Sequence, residues 1–177
     1  MTITPVDDKL DLFSVTDFYP AEILNSVKSI NHVESDWQRE DLQTNWNRKR
    51  INNHVAQVYI EIDLFVKSKL AEIEQITNTS ILSCDTICWL DETGFTTRSH
   101  LDNDDVFVAM QIYLTEHPGT DMATEFYNED CTVRFKPEYR INHGYLMINN
   151  PTLYHGMLTP VPENTYRLSS YTWFYKK

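Results

Sequence analysis

The hydrophobic period of this chain changes once, at Ser80, and that switch limits what it can fold into. Over residues 53–76, Val55, Val58, Ile62, Phe65, Leu70, Ile73 and Ile76 recur at helical spacing, with Glu61, Lys67, Lys69, Glu72 and Glu74 between them. Such a stripe predicts a helix packed on a sheet. A shorter helix is predicted upstream, where Asp17 and Pro20 suit its start and Ile23, Leu24, Val27 and Ile30 mark its buried face. Residues 1–16 read as an extended lead-in with little pattern. From Ile81 the period is two. Ile81–Leu90 reads as a strand closed by the turn Glu92-Thr93-Gly94. Val106–Leu114 is apolar on both faces and so predicts a central strand. Thr124–Tyr127 and Thr132–Phe135 read as a hairpin, Gly144–Ile148 as another buried strand, and Tyr166–Tyr175 as the last. Helices followed by many short strands, without repeats or a linker, predict a mostly β (α+β) fold: one sandwich or barrel backed by helices.

At 177 residues the chain is the size of one domain, able to bury about two-thirds of its unfolded surface. The expectation is a single unit over 1–177, with helical support in 17–78 and a β core in 80–176. Ten Tyr and eight Phe against four Gly favour a β-rich interior. A net charge of −11 argues against a general nucleic-acid binder, which needs a basic surface to displace counterions from phosphate. No apolar run approaches the roughly 20 residues of a membrane span. The first residues lack the basic start and apolar core of a secretory leader. Three cysteines, Cys84, Cys88 and Cys131, form no ligand-spaced set, and the first two fall in an apolar run. A cytoplasmic, reduced protein is expected, with no membrane or nucleic-acid partner.

Chemistry-bearing residues gather in the β part. His100 and Asp102 are one residue apart, so in an extended strand they project to one side. His155 follows the buried strand Gly144–Ile148 and the turn at Asn150-Pro151. Arg167 comes twelve residues later, and Ser169 shares its strand face. Two imidazoles and one carboxylate with open positions are the ligand set of a non-haem Fe(II) oxygenase. An Arg in an apolar strand is costly unless paired. With Ser169 it suits one end of a dicarboxylate, a structural salt bridge to one of the many acids being the alternative. His100 and Asp102 read alternatively as part of a solvated acidic turn, and His155 as a satisfied core histidine.

In order, the chain carries His100-Leu101-Asp102, Ile112-Tyr113-Leu114, Gly119-Thr120, Thr124-x-Phe126 and Gly144-Tyr145-Leu146-Met147-Ile148. After these come His155-Gly156-Met157, Pro160-Val161, Arg167-Leu168-Ser169 and Trp173-Phe174. From about Leu82 to Phe174 this series resembles the Fe(II)/2-oxoglutarate-dependent dioxygenases, in the branch that includes prolyl hydroxylases. The resemblance implies a double-stranded β-helix (jelly roll, cupin-like) with N-terminal supporting helices. It implies Fe(II) held by His100, Asp102 and His155, and 2-oxoglutarate held by Arg167 with help from Ser169. With O2 as second co-substrate, it implies a hydroxylase.

Many members of that branch place a Tyr nine residues before the first His, touching 2-oxoglutarate. Here that position is Asp91, and Tyr113 is the expected replacement. Arg98, Trp46 and Arg50 are further pocket candidates, the last two on a polar stretch read as a lid. The expected substrate is a peptide or protein side chain or a small metabolite. The alternative is a metal- or ligand-binding β-helix that has lost turnover.

Overall fold

The computed structural model describes residues 1–29, 37–39, 47–51 and 57–176. Its elements, in chain order, are β1 (Thr2–Pro5), β2 (Leu12–Thr16), α1 (Ala21–Ser29), β3 (Trp37–Arg39), β4 (Arg48–Ile51), α2 (Gln57–Ser68) and α3 (Leu70–Thr77). Then follow β5 (Ile81–Asp91), β6 (Thr97–His100), β7 (Val106–Tyr113), β8 (Glu125–Tyr127), β9 (Val133–Phe135), β10 (His143–Ile148), β11 (Tyr154–Met157) and β12 (Arg167–Lys176).

Two sheets face each other. The larger runs β1-β2-β10-β7-β12-β5-β4-β3 and the smaller β6-β11-β8-β9; the pairings whose register is resolved are all antiparallel. Two layers wound this way from the middle of the chain are the jelly-roll arrangement. β7 sits centrally in the large sheet, as its two-sided apolarity predicts. Among the described residues, four strands come from before residue 80, where the period-two signal does not reach. β2 is short but its Leu12, Phe13 and Val15 are buried, and it pairs with β10 throughout.

Alternation divides the large sheet's side chains between two cores. On the outer face, Cys84, Cys88, Met110, Ile112, Leu146, Leu168 and Phe174 pack with Ile23, Val27, Val58, Ile62, Val66 and Ile73 of the helices. The helical stripe is therefore core, and the free thiols Cys84 and Cys88 are buried within it. Between the sheets, Ala109, Phe126, Tyr145, Met147 and Leu153 form a second core. The long predicted helix is two helices. Its stripe steps by five between Phe65 and Leu70, and there Ser68 donates its hydroxyl to the Phe65 carbonyl, closing α2 before α3 begins.

Asn142 ties helices to sheet. At φ 66° it takes the left-handed conformation that Asn tolerates, accepts the Tyr19 N–H at 2.7 Å and donates to the Tyr19 carbonyl at 2.9 Å. Gly144 lets β10 approach β7, since a Cβ there would lie 1.8 Å from the Gln111 carbonyl oxygen. Among the described residues no helix is long and apolar enough to cross a membrane.

Candidate metal centre

The smaller sheet sets His100 and His155 directly opposite each other, as cross-strand partners of β6 and β11. Opposed residues on antiparallel strands project to the same side, and the two rings lie 4.5 Å apart between centroids. Their alignment depends on a bulge. His155 pairs with His100 but Met157 pairs with Thr97, so β6 carries one residue more than β11 across this interval. Gly156 fills the inside of the bulge; a Cβ there would meet the Thr97 and Arg98 carbonyl oxygens at 2.8 and 2.9 Å.

The bulge also corrects the expectation for Arg98. Strict alternation would have put it on the His100 face. The irregularity breaks that alternation, and Arg98 is exposed and does not line the cavity. Asp102 is not a strand residue either. β6 ends at His100, and the carboxylate returns to the histidines from the following turn. Its Oδ1 lies 3.8 Å from His100 Nε2 and 3.6 Å from His155 Nε2.

Backbone carbonyls set both imidazoles. His100 Nδ1 donates to the Arg98 carbonyl at 2.9 Å and His155 Nδ1 to the Leu153 carbonyl at 3.4 Å. Carbonyls only accept, so the protons sit on Nδ1 and leave Nε2, the ring atom near Asp102, as the ligating nitrogen of each ring. Burial among apolar groups, including the stacked Phe126 ring, holds the His155 pKa well below its ordinary value and keeps the ring neutral. The ligating atoms of the three residues all lie within 4.8 Å of one another. Three ligands on one face of an octahedron, with bonds of about 2.1 Å, stand roughly 3 Å apart. The donor set, tautomers and spacing fit a divalent ion after small side-chain adjustment, with the exposed side of His100 left for further ligands.

Asp102 is held as well. The Tyr171 hydroxyl donates to Oδ2 at 3.0 Å, leaving Oδ1 toward the histidines. Tyr171 and Arg167 lie on one face of β12, two steps apart, so alternation could have found Tyr171 once Arg167 was singled out.

The three residues line one cavity of about 200 Å³ together with Arg48 and Arg167. Arg167 is 2 % exposed and is paired inside the protein: Nε and Nη2 lie 2.9 and 2.7 Å from Asp91 Oδ2, and Nη1 donates to the Met122 carbonyl at 2.8 Å. The salt bridge left open from sequence exists, with the residue that departs from the family pattern. Ser169 does not line the cavity. Its hydroxyl accepts from Gln111 Nε2 at 2.9 Å, and Gln111 Oε1 accepts from the Thr124 hydroxyl at 2.8 Å. Tyr113 is fully buried with its hydroxyl oxygen accepting the Thr124 N–H at 2.9 Å, and it too stands behind the cavity wall. Gln111 and Thr124 are the groups that reach the space assigned from sequence to Ser169 and Tyr113.

Trp46 lies outside the described residues. Arg50 is in β4 opposite Trp89, and it borders a separate surface groove with Asp85 and Lys67. Residues 48–51 are thus a strand of the large sheet and not part of a lid. Arg48, two register pairs away, is the cavity residue. Nothing in Arg48-Lys49-Arg50 announces a strand until β5 is present to pair with it.

No protein-family profile and no curated protein sequence matches the chain. Solved structures do. A prolyl-4-hydroxylase from Pseudomonas putida superposes with a TM-score of 0.73 at 17 % identity, over 94 % of this chain and 93 % of that one. A Trichoplax adhaerens prolyl hydroxylase, in complex with a peptide fragment of the hypoxia inducible factor oxygen degradation domain, gives 0.69 at 15 %, over 96 % and 85 %. HygX from Streptomyces hygroscopicus, with nickel and 2-oxoglutarate bound, gives 0.63 at 10 %, over 94 % and 83 %. The chain has the fold of the prolyl-hydroxylase-like branch of the Fe(II)/2-oxoglutarate oxygenases.

Proposed function

We propose that the protein is a non-haem Fe(II)- and 2-oxoglutarate-dependent oxygenase that hydroxylates a peptide or protein side chain or a small metabolite. The supporting observation is the grouping of ligand atoms from His100, His155 and Asp102 within 4.8 Å of one another, at a cavity that Arg167 also lines. His100, His155 and Asp102 would hold the metal and Arg167 the distal carboxylate of 2-oxoglutarate. Bound Fe(II), with 2-oxoglutarate and O2, supplies the oxidising chemistry, and the co-substrate leaves as succinate and CO2.

The chain's own residues orient and protect. The backbone carbonyls of Arg98 and Leu153 keep both imidazoles in the ligating tautomer, and the Tyr171 hydroxyl keeps Asp102 to one ligating oxygen. Trp89, Tyr145 and Trp173 give the cavity apolar walls, which restrict water around the reacting centre. A substrate approaches from the side where His100 is exposed. The peptide carried by the Trichoplax adhaerens protein makes a peptide side chain a fitting class here. A cytosolic setting is part of the same reading, consistent with the exposed free thiol of Cys131.

The test is anaerobic calorimetry of Fe(II)-loaded protein with 2-oxoglutarate, followed by succinate assay on admission of O2. Saturable binding and succinate formation are expected; absence of binding rejects the reading. The pairing of Arg167 with Asp91 favours a second reading, a β-helix that binds metal without turnover. Metal binding without succinate formation would select it.

A further inference from the structure

Asp91 stands between two arginines. Arg48 is its cross-strand partner from β4 and Arg167 its partner from β12, so three neighbouring strands carry Arg48, Asp91 and Arg167 in one row. Arg48 donates from Nε to Asp91 Oδ1 and from Nη2 to Oδ2, the latter at 3.0 Å, while Arg167 takes the other side of Oδ2. Asp91 is 0 % exposed. Burial opposes its ionisation, and the two guanidiniums outweigh burial and hold its pKa below the ordinary carboxyl value. The Arg48 guanidinium also lies over the Trp89 and Phe95 rings, 4.8 and 4.2 Å from their centroids, which fixes its plane.

The charges in this row decide what the cavity can hold. Arg167 and Asp91 alone sum to zero, and a cancelled pair offers little to a carboxylate that must itself be desolvated. With Arg48 the row carries one net positive charge. Both guanidiniums line the cavity while Asp91 lies behind them. An arginine has five N–H donors. Among the described residues, Arg167 places three nitrogen contacts on Asp91 and Met122, and Arg48 two on Asp91, so that within this set each has donors to spare for a ligand.

We propose that Arg48 determines co-substrate specificity: it restores the positive charge that Asp91 withdraws from Arg167, and so makes the cavity select 2-oxo acids bearing a second carboxylate at the far end. This rests on the oxygenase reading above. It accounts for an acidic side chain beside a dicarboxylate site, because Asp91 and Arg48 enter as a neutral pair that also locks Arg167 flat.

The experiment is calorimetry of Mn(II)-loaded protein, without O2, against 2-oxoglutarate and 2-oxopentanoate, which has a methyl group in place of the distal carboxylate. Mn(II) affinity is titrated separately. Wild type should bind 2-oxoglutarate at least about tenfold more tightly, the scale of one charge-assisted contact. Arg48→Met should bring the two acids within about threefold of each other at unchanged Mn(II) affinity. Arg48→Met/Asp91→Asn, in which Arg167 regains its charge, should recover most of the preference. Preference retained in Arg48→Met, or lost together with Mn(II) binding, overturns the role given to Arg48 and leaves the oxygenase reading standing. Failure of the double variant to recover the preference overturns it too. Wild type that binds neither acid overturns both.

Discussion

The Tyr171 hydroxyl and Asp102 Oδ2 are joined at 3.0 Å, and this contact decides which carboxylate oxygen faces the histidines. Freed from it, Asp102 can rotate and present either oxygen or both. Tyr171→Phe should weaken divalent-metal affinity by about tenfold, the usual effect of losing a group that orients a ligand. Competitive titration with a metal indicator checks this, and an unchanged affinity would remove Tyr171 from the site.

Metal should also stabilise the fold. A ligand at about 100 times its Kd adds roughly 2.7 kcal/mol, or some 5–10 °C in Tm for a chain of this size. Thermal melts with and without Mn(II) should show such a shift in wild type and none in His155→Ala or Asp102→Ala.

His155 predicts a pH dependence in the metal-free protein. Burial keeps it neutral in the fold, whereas the unfolded chain takes up its proton near pH 6.5. Below that pH the unfolded state binds more protons, so stability falls as pH falls, with a slope of up to about 1.4 kcal/mol per unit from this group. Urea unfolding at pH 7 and pH 5 should show the loss in wild type and a smaller one in His155→Ala.

Gly144→Ala should be among the most damaging small substitutions in the large sheet. Its Cβ would meet the Gln111 carbonyl at 1.8 Å, and backbone, unlike a side-chain tip, cannot turn away. A loss of at least about 2 kcal/mol is expected. Because Gln111 reaches the cavity, 2-oxoglutarate affinity should fall along with Tm.

The sequence was most legible where one residue's role does not depend on a distant partner. Two-sided apolarity found the central strand β7, the stretch Tyr166–Tyr175 found the long strand β12, and helical spacing found the stripe under the sheet. The motif series brought His100, Asp102, His155 and Arg167 into one cavity. Legibility ended where pairing creates the structure. β4 is a strand because β5 lies beside it, so Arg48-Lys49-Arg50 read as a polar loop. Ser169 and Tyr113 have the right face of the sheet, yet Gln111 and Thr124 stand in front of them and occupy their hydroxyls. A strand face is visible in a sequence; which of two layers of side chains reaches the open space is not.

The extra residue in β6 gives the site a reading frame. A regular ladder continued from Thr97 opposite Met157 would leave every ligand in the sequence and even out the edge of the small sheet. It would also bring Ser99 opposite His155 and turn His100 away. Ordinary sheet edges tolerate such register shifts, since only exposed positions move. In this strand, counting residues is part of the chemistry, and strand regularity would be gained at the expense of the metal.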